Sequence, residues 1–203
     1  MKTVEYDNTF TTMKKQERKA RQDIIISAAE RVFSNKPFAE VSIRDIAKEA
    51  GISHASIYRY FPDQQSLFVE AFLKGSENII QFLGALVNEK KAVSIEKVTE
   101  KFLNYLIEND QYFRMMTHFM LDGSLSGELV ERLNTAERLL LDNMDRLFIK
   151  MKAKGNVRML SHAYFAAMNG VLITFRNYPG RSREEVISHM MKLGQIIALK
   201  FKE

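Results

Sequence analysis

The sequence predicts an all-α protein of about nine helices. Over long stretches, apolar residues recur every three or four positions, which is the spacing of one buried helix face. The 203 residues include only three prolines and nine glycines, so few positions interrupt this pattern. A chain of this length can bury one large core or two smaller ones.

Residues 1–62 are predicted to contain a mobile arm and three helices. Residues 1–14 lack apolar periodicity and are expected to form the arm. Ser42 and Ser53 are good N-caps for the second and third helices. Pro62 ends the third helix, because the residue before a proline is disfavoured in helical geometry. The three helices are predicted over residues 15–34, 42–50 and 53–60.

Residues 63–203 are predicted to form a helical body. Pro179 and Gly180 make the clearest break within it. Ser182 and Glu185 have the spacing of a capping box, so Ser182 is expected to start the final helix. The six helices of the body are predicted over residues 63–89, 94–108, 110–121, 127–152, 156–177 and 182–201.

The composition excludes several kinds of site. The chain contains no cysteine, which removes disulfides, thiolate metal ligands and cysteine nucleophiles. The first eight residues mix charges of both signs with no apolar run behind them, so no signal peptide is expected. The most apolar stretch, residues 164–175, is too short to span a bilayer. We therefore expect a soluble, cytoplasmic protein without a membrane partner.

The net charge of +5 is unevenly distributed along the chain. Residues 1–65 contain 11 basic and 9 acidic residues, residues 66–146 contain 9 and 13, and residues 147–203 contain 10 and 3. Net charge is therefore weak evidence for a nucleic-acid partner, because most of the basic excess lies near the C-terminus. A denser basic cluster lies in the first helix and consists of Lys14, Lys15, Arg18, Lys19 and Arg21.

Residues 42–61 have the pattern of a helix-turn-helix. Two short helices must cross closely through a turn, and Ala47 is small enough for that crossing. Gly51 can take the left-handed conformation that ends one helix and redirects the chain. Four isoleucines have the spacing to form the shared core, namely Ile43, Ile46, Ile52 and Ile57.

The outward face of the second helix of this motif has side chains suited to a DNA major groove. Serine and tyrosine hydroxyls contact phosphates, arginine and histidine reach acceptors on guanine, and alanine can meet the methyl group of thymine. Free amides near Ser42 and Ser53 also favour a phosphate. The face consists of His54, Ala55, Ser56, Arg59 and parts of Tyr58 and Tyr60.

The same spacing also fits a helix pair inside an ordinary bundle. In that alternative, Tyr58, Tyr60 and Phe61 would be core aromatics rather than surface residues. Phe61 is the best candidate for the core under either interpretation.

Several segments between Arg21 and Phe72 match one family pattern. They are Ile25–Ala29, Val32-Phe33, Ser42–Ala47, Ala50–Ser53 and Ile57–Phe61, followed by Leu67. Over this quarter of the chain the sequence resembles the DNA-binding domain of the TetR family of transcriptional regulators. The resemblance implies a three-helix DNA-binding head over residues 15–62. It also implies a helical body over residues 63–203 that binds a small molecule and dimerises, and whose ligand releases a repressor from DNA.

The resemblance also implies which residues contact DNA. Arg44 and residues 53–60 would face the double-stranded operator, with Ser42 at a phosphate. The complete set of predicted DNA-binding residues is Ser42, Arg44, Ser53, His54, Ala55, Ser56, Tyr58, Arg59 and Tyr60.

Two positions depart from the family pattern. Pro37 stands where the family usually has a glycine after the first helix, so that turn must be built without a left-handed residue. Gln64 stands where the family usually has a lysine at a phosphate. A neutral amide can bind phosphate but releases no counterion, so we expect one charge contact fewer per half-site.

Aromatic residues and methionines are concentrated in the body. They suit a pocket for an apolar or aromatic effector, because such side chains adapt to irregular shapes. Each of them also suits an ordinary core. The predicted lining is Phe102, Tyr105, Tyr112, Phe113, Met116, Phe119, Met120, Phe165 and Met168.

Small and apolar residues in the last two predicted helices suit a homodimer interface. Packing within one subunit is the alternative. A two-fold dimer would place two recognition helices one DNA turn (~34 Å) apart, on a palindromic operator. The residues are Ala163, Ala166, Ala167 and Gly170 in one helix, and Val186, Met190, Leu193, Gly194 and Ile197 in the other.

Two rival classes of function are weighed against an effector-responsive regulator. One is a regulator whose body binds a partner protein. The other is an enzyme, since His118 and Asp122 lie four residues apart and could begin a metal site. Residues 123–127 are not a nucleophile elbow, because the middle position is Leu125. We expect no catalytic activity, no cofactor and no metal.

Overall fold

The computed structural model describes residues 3–90, 92–121 and 127–201. These residues form nine α-helices and a 3₁₀ helix at Phe38–Glu40, with no strand among them, which confirms the all-α prediction. The helices are α1 Thr3–Asn35, α2 Ile43–Ala50, α3 His54–Ile57, α4 Gln64–Asn88, α5 Ile95–Glu108, α6 Asp110–Leu121, α7 Glu128–Lys150, α8 Val157–Phe175 and α9 Arg183–Leu199.

Two helices differ from the predicted ranges. The described residues of the stretch expected to form an arm are helical, because α1 already begins at Thr3. A helix already nucleated further along gains one hydrogen bond for each residue added, so this extension needs no buried face. Helix α3 ends at Ile57, because the Tyr60 N–H bonds the Ile57 carbonyl at 2.8 Å in a tighter turn.

The turn after α1 is built without a left-handed residue, as Pro37 requires. The Glu40 N–H donates to the Pro37 carbonyl at 2.9 Å, and a single 3₁₀ turn carries the chain toward α2. Within residues 36–42, all of which have a described backbone, no φ is positive. Proline at this position is therefore compatible with the same helix order.

The described residues divide into two compact units. Unit 1 comprises those of Met1–Lys74 and Arg114–Leu129, and unit 2 comprises those of Gly75–Phe113 and Val130–Glu203. This division differs from the predicted boundary at residue 62. The start of α4 belongs to unit 1 because Phe68 is buried there with its ring edge against Phe33, at a centroid distance of 5.1 Å.

The core of unit 1 contains three of the four isoleucines predicted for it. Ile43, Ile46 and Ile57 are buried, and Phe61 joins them as expected. The prediction was wrong for Ile52, which is 36% exposed. It follows the turn residue Gly51, and only its backbone N–H is held, by the Ala47 carbonyl, so its side chain is left at the surface.

The core of unit 2 is built around Tyr164, whose hydroxyl lies 2.9 Å from the Thr99 hydroxyl. Helix α9 approaches α5 closely at Gly194, where an added Cβ would clash with a Leu103 methyl carbon. Val186, Met190 and Gly194 are buried within the subunit. The expectation that these three residues form a dimer interface was therefore wrong, because their face of α9 is already used.

Candidate nucleic-acid interface

Helix α2 begins with a complete capping box. The Ser42 hydroxyl accepts from the Asp45 N–H at 3.2 Å, and the Asp45 carboxylate accepts from the Ser42 N–H at 2.9 Å. Lys36 reaches the same carboxylate at 2.9 Å. Hydrogen bonds from the Ser42 hydroxyl and from Lys36 lower the pKa of Asp45 to about 2. The start of α2 is thereby fixed by residues 36–45 alone.

Gly51 forms the turn between α2 and α3. Its φ of 68° and ψ of 29° place it in the left-handed region, and its N–H bonds the Lys48 carbonyl at 3.2 Å. An added Cβ would meet no atom within 4 Å. The glycine is therefore required by backbone conformation rather than by crowding.

Helix α3 has its own N-cap in Ser53. The Ser53 hydroxyl accepts from the Ser56 N–H at 3.2 Å and lies 2.8 Å from the Ser56 hydroxyl. These bonds engage part of the hydrogen-bonding capacity of both serines. His54, Ala55 and Tyr58 project from the same segment and are exposed, Tyr58 by 52%.

A groove of about 780 Å³ in unit 1 brings several predicted DNA-binding residues together. Residues from the start of α2, from α3 and from the start of α4 contribute to its lining. Ser42, Arg44, His54 and Tyr58 belong both to this lining and to the predicted set. Ser53, Ala55, Ser56, Arg59 and Tyr60 are not among the residues that line it.

Two residues affect the charge of the groove lining, and only Gln64 was expected from the sequence. Gln64, singled out for its missing charge, lines the groove as expected from its position. Asp63 also lines it and caps α4, since the Ser66 N–H donates to its carboxylate at 2.7 Å. The sequence could have indicated this role of Asp63, because aspartate is a common residue at the start of a helix. Its negative charge would oppose a DNA phosphate.

Two arginines of the basic cluster of α1 already have partners within the chain. The Arg18 guanidinium donates to the Arg59 carbonyl at 3.3 Å and lies 5.1 Å from the centre of the Tyr60 ring. Arg21 instead pairs with Glu17 at 2.7 Å in the same helix. Arg18 therefore holds the segment that follows α3.

The residues predicted to line an effector pocket fall in both units. Met116, Phe119 and Met120 belong to unit 1. There Met116 is buried, the Phe119 ring lies 6.0 Å from the Phe72 ring, and Met120 is 44% exposed. The others, Phe102, Tyr105, Tyr112, Phe113, Phe165 and Met168, belong to unit 2.

Most of the predicted residues in unit 2 pack as core. Phe102 lies 6.5 Å from Phe165, measured between ring centroids, and Tyr105 stacks on Phe82 at 4.8 Å. Met168 is fully buried, and burial raises the pKa of Tyr112. Phe113 differs from them, because it lines a cleft of about 350 Å³. A role for these residues in ligand binding stays a prediction.

One face of α8 is exposed along its length. Ala163, Ala166 and Gly170 lie on it, and a Cβ added to Gly170 would meet no atom within 4 Å. Met159 and Ile173 extend the face with exposed apolar side chains. Small residues predicted to permit close helix approach are therefore available on α8.

Of the two residues considered for a metal site, only His118 belongs to the described part of the chain. The His118 ring lies 5.3 Å from the Phe68 ring in an edge contact within unit 1. Asp122 and residues 123–126 lie outside the described residues. Among the residues that are described, no group of three or more histidine, aspartate or glutamate side chains has the arrangement of a metal site. Nor does any described helix combine the length and hydropathy that crossing a membrane requires.

Two curated proteins show where the sequence similarity lies. The transcriptional regulator EthR of Mycolicibacterium smegmatis is 41% identical over 49 residues, which are 24% of this chain and 23% of that protein. The nucleoid occlusion factor SlmA of a Marinomonas species is 25% identical over 127 residues, which are 62% of each protein. This chain thus aligns with less than two thirds of the length of either relative.

Two solved structures share the fold over most of the chain. A TetR-family transcriptional regulator from Mesorhizobium loti matches with a TM-score of 0.69 and 17% identity, over 90% of this chain and 97% of that one. A transcriptional regulator from Saccharomonospora viridis, in complex with choline, matches with a TM-score of 0.68 and 15% identity, over 84% and 93%.

The family model that matches the chain covers the capped helix-turn-helix. Its description is "Bacterial regulatory proteins, tetR family", and it spans residues 25–71, from α1 into α4. This range contains the groove-lining residues and the Gly51 turn. Residues 25–71 of this chain therefore match the TetR family of bacterial regulatory proteins.

Proposed function

We propose that the protein is a transcriptional repressor that binds a palindromic operator as a homodimer and is released by a small, largely apolar effector. The groove of unit 1 carries the DNA-binding part of this function. It places Arg44, His54 and Tyr58 side by side on a doubly capped helix-turn-helix. Such a regulator acts by binding where DNA is accessible, so we place it in the cytoplasm and assign it no catalytic step.

The proposed contacts follow from the chemistry of the exposed side chains. Arg44 and His54 would donate to base acceptors, and the Tyr58 hydroxyl would reach a phosphate. At Ser42 a phosphate would be bound by the free backbone amides at the start of α2. The Ser42 hydroxyl is already hydrogen-bonded to the carboxylate and the backbone N–H of Asp45. Arg18 would position the segment after α3 rather than supply specificity.

The exposed face of α8 supports the homodimer. Ala163, Ala166 and Gly170 would allow a second copy of α8 to approach closely, with Met159 and Ile173 adding apolar contact. A two-fold axis through this face would generate the two recognition segments that a palindrome needs.

Selection of bound sequences from random double-stranded DNA tests the proposed function. We expect an enriched palindrome whose half-sites are centred about one helical turn apart. Arg44→Ala should relax the selected sequence at one position per half-site. Lys48→Ala, an exposed change on the same helix outside the groove, should leave the selected sequence unchanged. Failure to enrich any sequence would overturn the assignment.

Release by an effector needs a separate measurement. Metabolite fractions should weaken operator binding and raise the melting temperature of the DNA-free protein, by mass action. The complex with choline of the Saccharomonospora viridis regulator supports a small-molecule effector for this chain. Stabilisation by fractions that leave DNA binding unchanged would contradict the proposed link between the effector and release.

A second candidate function is a DNA-binding factor whose body binds a protein partner. The alignment with the nucleoid occlusion factor SlmA favours it, because that alignment extends over 62% of this chain. In this case the protein still selects an operator, but no small molecule releases the protein from DNA. The release assay therefore separates the two candidates.

A further inference from the structure

A cleft in unit 2 combines apolar walls with two guanidinium groups. It has a volume of about 350 Å³ and is lined by the ends of α5 and α8 and by the starts of α6 and α9. Leu106, Leu172 and Met190 form part of its apolar wall, and all three are buried. The volume of the cleft falls in the range of pockets that bind small molecules.

One guanidinium of the cleft, that of Arg176, already has partners. Arg176 forms an ion pair with Asp110, and its guanidinium lies 5.1 Å from the centre of the Phe113 ring. Its side chain is only 18% exposed. This arginine is therefore fixed against an aromatic wall at the side of the cleft.

The second guanidinium, that of Arg183, lines the same cleft at the start of α9. Among the residues that the structure describes, no acidic side chain pairs with Arg183. The neighbouring Glu185 accepts from the Ser182 N–H at 2.8 Å in the capping box of α9. With Asp110 opposite Arg176, the cleft lining carries two positive charges and one negative charge, a surplus of +1.

We propose that this cleft binds a small molecule that carries one carboxylate and an apolar or aromatic tail. Arg183 would hold the carboxylate through two parallel hydrogen bonds, with the Asn177 amide beside it. The tail would lie on the wall that Phe113 and Leu106 provide. A single negative charge matches the surplus of the cleft. Such a molecule would be the effector of the proposed regulator, so its effect on DNA rests on the proposed function.

Three probes, which differ in charge or in the apolar tail, test the class of ligand. They are 3-phenylpropanoate, the isosteric neutral 3-phenylpropanamide and inorganic phosphate, compared by calorimetry at equal ionic strength. We expect the carboxylate to bind about tenfold or more tightly than the amide, because its hydrogen bonds are charge-assisted. Phosphate should bind weakly, since it has no tail for the apolar wall. Equal affinity for the carboxylate and the amide, or for the carboxylate and phosphate, would overturn the assignment, as would no binding of the carboxylate.

Two arginine variants locate the site. Arg183→Gln should weaken 3-phenylpropanoate binding about tenfold and bring it to the level of the amide. Arg181→Gln removes the same charge two residues away, outside the cleft, and should change the affinity less than about twofold. Both residues are exposed, so both variants are expected to fold. An equal loss in the two variants would show general charge attraction instead of a site.

Operator binding, measured on the same proteins, separates this assignment from the proposed function. If the carboxylate binds through Arg183 but no DNA sequence is ever selected, the site stands and the regulator function fails. If an operator is selected and other molecules release it, while 3-phenylpropanoate does not bind, the regulator function stands and the carboxylate site fails.

Discussion

The Arg18 guanidinium lies 5.1 Å from the centre of the Tyr60 ring and donates to the Arg59 carbonyl, so α1 holds the segment that follows α3. Arg18→Ala should lower the free energy of unfolding by about 0.5–1 kcal/mol, the range for an exposed cation–π contact. Lys19→Ala, the adjacent exposed charge, should change it by less than about 0.5 kcal/mol. Urea unfolding measures both, and equal losses would show that Arg18 is not a tether.

The left-handed turn at Gly51 can be tested without altering side-chain packing. Gly51→Ala should destabilise the protein by about 1 kcal/mol, because a Cβ disfavours the left-handed region. Gly51→Asn should cost less, since asparagine enters this region more readily. Thermal unfolding gives the order of the three proteins. Alanine as stable as glycine would contradict the conformational explanation.

The capping box of α2 predicts a defined acid dependence. The folded protein lowers the pKa of Asp45 from 3.8 to about 2, so the carboxylate is stabilised in its charged form. Its contribution to stability is present above pH 4 and is lost as the pH falls from about 4 to 2.

The test is the slope of unfolding free energy against pH in that window. Asp45→Asn should flatten the slope, while Asp23→Asn removes a carboxylate from an exposed position of α1 as a matched control. The prediction fails if the two variants follow the same pH profile.

The neutral side chain at Gln64 predicts an unusual dependence of DNA binding on salt. Gln64 lines the groove where a lysine would add one phosphate contact. Gln64→Lys should steepen the slope of log K against log salt by about 0.9 per half-site, the value for one released counterion. Gln65→Lys, one position further, serves as the control. An unchanged slope for Gln64→Lys would rule out a phosphate at this position.

The exposed face of α8 predicts where a dimer can be broken. Ala166→Arg should shift the protein to monomers in sedimentation experiments, because a long charged side chain prevents close helix approach. Leu139→Arg introduces the same side chain at an exposed apolar position of α7 and should leave the oligomeric state unchanged. If Leu139→Arg produced monomers and Ala166→Arg did not, the dimer interface would not be this face of α8.

The local features of the helix-turn-helix were predictable because they depend on residues close in sequence. Ser42, Ser53 and Ser182 were identified as N-caps, and each accepts the predicted backbone hydrogen bond. Gly51 was expected to be left-handed and has a φ of 68°. Caps and turns of this kind are fixed within four or five residues, so periodicity and residue type suffice.

The sequence by itself therefore determined the all-α fold, the caps, the Gly51 turn and the resemblance of the helix-turn-helix segment to the TetR family. Only the tertiary structure decided which face of each helix packs against another part of the chain. It buried Val186, Met190 and Gly194 inside the subunit, exposed Ile52, and placed Arg18 on Tyr60. A helical pattern shows that a face is apolar or small, but the partner of that face comes from residues far away in the chain. The partners of Arg176 and the surplus charge at Arg183 depend on such distant residues as well.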